Sequence, residues 1–273
     1  MKNPIKIAMI GAGNMASAIV GGLTDPENEN RVAKENIILF DVDRTKYERF
    51  GDGFVLADDI PSAVLSADII FFAVKPQNYP DVLALAATAA APEKVFVSIA
   101  AGISISNISE VLGKNAKIVR ALPNTPLLVG AGATALCRNA GVSDEEYAAV
   151  RSIFTSRGLV IDLDEDQMNR IVSVTSSSPA YFFLMIKAMV DSAAAQGLAI
   201  ENLRKAVCTA MIGSAKFALQ SEKSLDELIR MVTTPHGTTE QALRVFEEED
   251  FCGMVDRAMR ACTHRADELG KKV

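Results

Sequence analysis

A short apolar run, Ile5-Lys6-Ile7-Ala8-Met9-Ile10, leads straight into Gly11-Ala12-Gly13-Asn14-Met15-Ala16, after which Met15, Ala18, Ile19, Gly22 and Leu23 share one helical face. This is G-x-G-x-x-A between a strand and a helix, the only setting in which the motif has a physical meaning. Gly11 permits the tight turn, Gly13 lets a pyrophosphate approach the backbone, and Ala16 is small enough for the helix to pack on the strand. The helix N-terminus adds favourable charge for the anion. The alternation continues down the chain: β-rich runs at Ile37 to Phe40, Ile69 to Val74, Val95 to Ile99, Ile118 to Ala121, Ala131 to Leu136 and Leu159 to Ile161 are separated by helical or loop stretches. Several runs are apolar throughout, as parallel strands covered on both faces must be. The expectation is an α/β fold, a doubly wound sheet over residues 1–163.

After Asp164 the strand signals stop. Helices are expected from Gln167 to Gln196, Ile200 to Gln220, Leu225 to Met231, Thr238 to Glu249 and Gly253 to Gly270, an all-α part spanning 164–273. Ser143 with Glu146 and Ser224 with Glu227 have capping-box spacing, and Gly197 ends the first long helix as a C-terminal glycine should. That helix carries Phe182, Phe183, Leu184, Met185 and Met189 beside small residues, so it is apolar nearly all round. Its burial falls either to a second subunit or to a helical core within the chain.

The acidic residue expected after the second strand is Asp41, placed to accept from a ribose 2′-hydroxyl. A carboxylate there repels a 2′-phosphate and Asp43 adds to the repulsion, while Arg44 pulls the other way; the balance leans weakly to NADH over NADPH. The alternative is that Asp41 merely caps a turn.

Composition narrows the function classes. The 28 basic and 34 acidic residues leave a net charge of -6, so no electrostatic footprint for nucleic acid or anionic lipid is present. Mean hydropathy is +0.18, yet no stretch of about 18 uniformly apolar residues offers a membrane span. With no signal-peptide pattern at the N-terminus, the cytoplasm is the default compartment. Cys137, Cys208, Cys252 and Cys262 lack CxxC spacing, and His236 and His264 alone cannot make a His-rich metal centre.

The second chemical candidate is the turn Val232-Thr233-Thr234-Pro235-His236-Gly237-Thr238-Thr239-Glu240. Pro235 and Gly237 shape it, and the N–H groups of Gly237 and Thr238 at a helix start could cradle a carboxylate. Equally, Thr234 or Thr238 could do no more than cap the helix.

At this point the chain resembles the pyrroline-5-carboxylate reductase family over nearly its whole length. The likeness is carried by IGAGNMASAIVGGL near the N-terminus, Ala73-Val74-Lys75-Pro76-Gln77, Ser98-Ile99-Ala100-Ala101-Gly102, Arg120-Ala121-Leu122-Pro123-Asn124-Thr125-Pro126, Ser177-Ser178-Pro179-Ala180-Tyr181 and the Pro235 to Thr239 turn. It implies a Rossmann domain, a helical dimerisation domain, and NAD(P)H-dependent reduction of 1-pyrroline-5-carboxylate to L-proline. It further implies a homodimer or a higher assembly such as a ring of dimers.

By that likeness Gly11, Gly13, Asn14 and Met15 line the dinucleotide phosphates, Asp41 meets the ribose 2′ position, and Ala73, Val74, Lys75 and Pro76 lie beside the cofactor. Asn124 and Thr125 match the loop near the nicotinamide. Glu222, Thr234, Gly237, Thr238 and Thr239 match the substrate end, with Thr239 offering its hydroxyl to the ring nitrogen. Lys75 by itself reads equally as a surface lysine.

Two departures stand out. His236-Gly237 replaces a common glycine pair, so a positive φ at 236 would strain the histidine. Ser176-Ser177-Ser178-Pro179 replaces a more glycine-rich form. Among rivals, the β-hydroxyacid dehydrogenases place an Asn three residues after a helical Lys, whereas Lys187 is followed at that spacing by Val190. A non-catalytic dinucleotide-binding regulator and a methyltransferase are the remaining alternatives.

Overall fold

The computed structural model describes residues 4–199 and 201–271. Eight strands form one sheet: β1 (Ile7–Ile10), β2 (Ile37–Phe40), β3 (Val55–Leu56), β4 (Ile69–Phe72), β5 (Val95–Ser98), β6 (Lys117–Leu122), β7 (Gly132–Arg138) and β8 (Gly158–Asp162). Their spatial order is β3-β2-β1-β4-β5-β6-β7-β8, so strand order reverses between β1 and β4. The seven runs expected as strands all form. The additional strand, β3, is two exposed residues pairing with β2, too short to leave an apolar pattern.

One pairing departs from the expected parallel order. β7 runs antiparallel to β6, because residues 123–131 between them form only a short 3-10 turn, Thr125–Val129. A parallel return needs a crossover of about a dozen residues or more.

Within the strands, successive side chains feed two separate cores. Ala8, Ile10, Ile38, Ile70, Phe72, Phe96 and Ile118 face one way; Ile7, Met9, Ile37, Leu39, Phe71, Val97 and Val119 face the other. The first face is covered by α2 (Ile60–Leu65), α3 (Tyr79–Ala87) and α4 (Ile105–Leu112); the second by α1 (Asn14–Leu23) and α5 (Asp144–Thr155). The Ser143–Glu146 capping box forms at the start of α5, as its spacing predicts.

The long helix expected from Gln167 is broken instead. It consists of α6 (Met168–Ile171), a π-helical turn at Val172–Ser176, and α7 (Ser178–Ala195). Ser177 N–H donates to the Val172 carbonyl at 2.9 Å, and the ring at Pro179 removes a helical donor just beyond. Within the helical stretch 165–195 one 18-residue window reaches a mean hydropathy of 1.2, which by length and composition alone is enough to cross a membrane, although no run in it is uniformly apolar.

The Cα positions divide into two compact units, one comprising 1–179 with 261–273 and the other 180–260. Residues 165–179 fall on the sheet's side of that division, beyond the 163/164 point read from strand composition, because side chains bind them there. Arg120, 2% exposed at its side chain, donates to Glu165 at 3.2 Å and to Asn169 at 3.1 Å. Glu165 also accepts from the Ile105 N–H at 2.6 Å, and Asn169 donates to Asp267. The last part of α11 (Phe251–Gly270) thus joins the first unit, where Ala266 is buried. Gly102 (φ +84°) makes that approach possible, since a Cβ there would lie 2.6 Å from the Ala266 carbonyl oxygen.

The second unit holds most of α7, α8 (Leu203–Gln220), α9 (Leu225–Met231), α10 (Thr238–Glu248) and the start of α11. The start of α8 expected at Ile200 lies outside the described residues, as do residues 1–3 and 272–273 at the ends of the two expected domains. Gly197 has φ +86°, and the bonds from Gly197 N–H to Ala194 O and Leu198 N–H to Ala193 O make a Schellman C-cap. The Ser224–Glu227 capping box also forms. These helices leave Phe182, Phe183, Leu184, Ile212 and Leu219 about half or more exposed.

Two consequences for stability follow. Gly11 has φ +102°, and a Cβ there would lie 2.5 Å from the Ala73 carbonyl oxygen. Gly11→Ala should therefore cost at least ~2 kcal/mol through left-handed strain and the clash, read as a lowered denaturation midpoint. Arg120→Met removes the partner of a part-exposed Glu165 and should cost about 2 to 3 kcal/mol. Adding Glu165→Gln should recover part of that loss in the same urea titration, whereas additive losses would show that the pair is not coupled.

Candidate functional site

The carboxyl ends of β1, β2 and β4 border a cleft of about 430 Å³ lined by Gly11, Gly13, Asp41, Lys46, Val74 and Lys75 among others. It opens where strand order reverses, the position at which doubly wound sheets bind ligands. Ala73 also lines it.

The glycine turn is built by backbone bonds. Gly11 N–H donates to Phe40 O at 2.7 Å and Ala73 N–H to Ile10 O at 2.8 Å, tying the three strand ends together. Gly13 is the N-cap of α1 with φ -80° and ψ -170°, and nothing lies within 4 Å of where its Cβ would be. That open space beside a helix start is what a dinucleotide phosphate requires, so the residues present fit the cofactor. Asn14 is exposed on the first turn of α1, whereas Met15 is half-buried and packs against the core. Lys75 is exposed and Pro76 follows it as the first residue of a 3-10 turn.

Asp41 is held on every side. Its carboxylate accepts from Ala12 N–H at 2.8 Å, Asp43 N–H at 2.9 Å and Lys46 Nζ at 3.0 Å, while Tyr47 Oη accepts from its N–H and donates to its carbonyl. Burial pushes the Asp41 carboxyl up, but the two amides and the Lys46 ammonium outweigh it and hold the group below the ordinary value of 3.8. The side chain is 8% exposed and takes three donors, two of them turn amides, the turn-capping that the sequence left open beside the ribose role. Lys46 is the residue that sequence reasoning missed. Its signal was a lysine five positions past the strand-end acid, on the turn that brings it back over that acid.

Asn124, expected near the nicotinamide, is 7% exposed. Its Nδ2 donates to Thr175 O at 3.0 Å and its Oδ1 accepts from Ala133 N–H at 2.9 Å, so both halves of the amide are spent as an internal staple. Thr125 beside it is exposed. Ser176 lies within the π-helical turn without a positive φ, so serine is unstrained at that position.

All of these residues belong to the first unit; the residues expected at the substrate end belong to the second. Glu222 is exposed between α8 and α9, and Thr234 is exposed in the turn before α10. His236 has φ +61°, and with Pro235 before it this is the pattern of a type II turn, whose third residue favours glycine. Gly237 N–H closes that turn on Thr234 O at 2.9 Å. The expectation that Gly237 and Thr238 jointly offer free amides is corrected accordingly: the Gly237 donor is spent.

Thr238 and Thr239 are the first residues of α10, where the leading N–H groups have no intrahelical partner. A Cβ at Gly237 would meet the Thr234 hydroxyl and lie 2.9 Å from the Thr234 carbonyl oxygen, so a side chain there would force the turn to shift. Glu240 reaches back to accept from His236 N–H at 2.9 Å and fixes the turn on the helix.

Comparison with known proteins agrees with both halves. Residues 165–269 match the family model described as pyrroline-5-carboxylate reductase dimerisation, and residues 6–102 match one described as NADP oxidoreductase, coenzyme F420-dependent. The chain is 35% identical to the pyrroline-5-carboxylate reductase of Pseudomonas aeruginosa, covering 98% of each chain. It is 37% identical to that of Escherichia coli, covering 97% of this chain and 98% of the other. Among solved structures it is similar to the pyrroline carboxylate reductase of Plasmodium falciparum with NADP bound, at TM-score 0.89 and 28% identity over 99% of both chains. It is also similar to the reductase of Coxiella burnetii, at TM-score 0.84 and 34% identity over 98% of this chain and 99% of that one. With such identity sustained from end to end, this chain belongs to the pyrroline-5-carboxylate reductase family.

Proposed function

We propose that this chain reduces 1-pyrroline-5-carboxylate to L-proline, the last step of proline biosynthesis. In this reading residues 1–163 are the dinucleotide-binding domain and residues 164–273 the helical domain of dimerisation and substrate binding. The observation that carries the substrate side is the turn at 234–239: Gly237 stands where a Cβ would force the turn to shift, and it leads an 11-residue helix whose first amides are uncommitted.

The cofactor, when bound, supplies a hydride to the imine carbon. Gly11, Gly13, Asn14 and Met15 form the phosphate wall, with Ala73, Val74, Lys75 and Pro76 beside it. The lean to NADH rests on the repulsion of a 2′-phosphate by Asp41 and Asp43, and the Lys46 ammonium, 3.0 Å from the Asp41 carboxylate, offsets part of that charge. Asn124 acts as a positioning residue, fixing the loop that presents Thr125.

On the substrate side, the N–H groups of Thr238 and Thr239 receive the carboxylate, with Thr234 and Glu222 alongside. Reduction of C=N to CH–NH adds one hydride at carbon and requires one proton at nitrogen. Attack is easier on the protonated imine, because the nitrogen then need not carry developing negative charge. A threonine hydroxyl is a poor acid near neutral pH, so Thr239 orients the ring nitrogen or relays a proton from water. The exposed apolar faces of Phe182, Phe183, Leu184 and Leu219 suit burial against a second copy, giving a homodimer that can assemble further into a ring of dimers.

The direct test follows oxidation of NADPH and NADH with 1-pyrroline-5-carboxylate; the absence of substrate-dependent oxidation with either would overturn the assignment. Thr239→Val should lower kcat/KM by ~10-fold or more, about 1.4 kcal/mol of transition-state stabilisation, while dinucleotide affinity measured by titration stays unchanged. Wild-type kinetics in that variant would remove the hydroxyl from the mechanism.

A further inference from the structure

We infer that Pro179 is a positioning residue for the reduction: it keeps the Thr175 carbonyl out of the helix, so that Asn124 holds that carbonyl and with it the loop carrying Thr125. The inference rests on the functional reading above and goes beyond it, from the loop to the residue that frees its anchor.

In an α-helix running unbroken through this stretch, the Thr175 carbonyl would accept from the N–H four residues on. That residue is Pro179, which has no N–H and whose ring crowds the carbonyl four residues back. The chain widens in response. Residues 172–176 take a π-helical turn, Ser177 N–H closes on Val172 O at 2.9 Å, and α7 starts afresh at Ser178. Thr175 O is left to a side-chain donor, and Asn124 Nδ2 supplies it at 3.0 Å. Ser178 Oγ stands off at 3.5 Å, the outer limit of bonding.

The turn is braced from within and from outside. Ser173 Oγ donates to Arg170 O at 3.0 Å and Thr175 Oγ1 to Ile171 O at 3.2 Å. Asn169 donates to Asp267 at 2.8 Å, and Cys262 Sγ donates to Ser177 Oγ at 3.2 Å. Its cost shows in Ser176 Oγ, which is buried without a hydrogen-bond partner among the described residues.

For the fold, a helical N–H and the Asn124 amide are close to interchangeable as donors to Thr175 O, one hydrogen bond replacing another. For the loop they are not. Asn124 Oδ1 accepts from Ala133 N–H in β7 at 2.9 Å, so one amide spans the two ends of residues 125–131 and ties both to the π-helical turn. Within that loop Leu127 shares a core with Ala16, Ile19 and Leu23 of α1, while Thr125 stays exposed. β6, from whose carboxyl end the loop springs, runs parallel with β5, β4 and β1, so the loop leaves the same edge of the sheet as the Gly11 turn. In such a place a displacement of about 1 Å can cost ~100-fold in rate. Dinucleotide affinity, supplied by the glycine turn, is left alone.

The test compares the full chain with Pro179→Ala, Asn124→Ala and the variant carrying both. The N–H that Pro179→Ala restores should bond to Thr175 O, so its exchange with deuterium should be slow, and the unfolding midpoint in urea should stay near that of the wild type. Yet kcat for 1-pyrroline-5-carboxylate should fall ~10-fold or more, with the dissociation constants of NADPH and NADH within about twofold of wild type. The variant carrying both changes should be no slower than Asn124→Ala alone, because both act through one bond.

Wild-type kcat in Pro179→Ala or in Asn124→Ala would overturn the role of Pro179. So would fast exchange of the restored N–H, losses that multiply when the two changes are combined, or a matching loss of dinucleotide affinity. A Pro179→Ala chain that fails to fold would overturn it as well, since the proline would then serve the fold. A wild-type chain that folds but does not reduce the imine would instead overturn the functional reading itself, and this inference with it.

Discussion

The Gly11 backbone lies so close to the Ala73 carbonyl that no Cβ fits between them, and this contact sets the geometry around it. It lets β1 end abruptly beside β4, leaves α1 starting at the mouth of the cleft, and allows the Asp41 carboxylate to reach the Ala12 amide from the end of β2. A side chain at position 11 would push the turn outward and break the hydrogen bonds that converge on it. The glycine turn is therefore held by main-chain packing, with the Asp41 carboxylate tying it to the end of β2.

The same economy governs the second candidate region. Gly237 gives up its N–H to close the turn on Thr234, and the positive φ is carried by His236, a residue that tolerates it better than most. What remains at the head of α10 is a pair of threonines with free backbone donors and hydroxyls on one turn. The charged groups Asp41, Lys46 and Glu240 of these regions are engaged in bonds that hold their turns, which fits a reaction in which the cofactor carries the reducing electrons and the protein's share is orientation.

Much of this was legible because it is local. The strand-turn-helix at 7–23, the capping boxes at 143–146 and 224–227, and the glycine at 197 are each decided within a few residues, and each forms as its spacing predicts. The strain at His236 was legible for the same reason. What escaped was set by tertiary partners. The reversal of β7 depends on how little chain separates it from β6, and β3 carries no apolar pattern. Asn124 looked like a loop residue until the carbonyl of Thr175 and the amide of Ala133 closed on it. Arg120 sits in an apolar strand, and its burial made sense only once Glu165 and Asn169 were found across from it. The capping pairs Asp59–Ser62 and Ser104–Asn107 were also passed over, because neither carries the glutamate or glutamine that marks the motif.

The placement of residues 261–270 against the first unit's core bears on how the chain comes to be built. Ala266 and Cys262 pack with residues from the sheet's first face, and Gly102 and Gly270 meet backbone to backbone. A nascent chain has made all eight strands long before these residues leave the ribosome. Until then the patch of that face which Ala266 and Cys262 cover stays open to water, to chaperones and to misassociation with other growing chains.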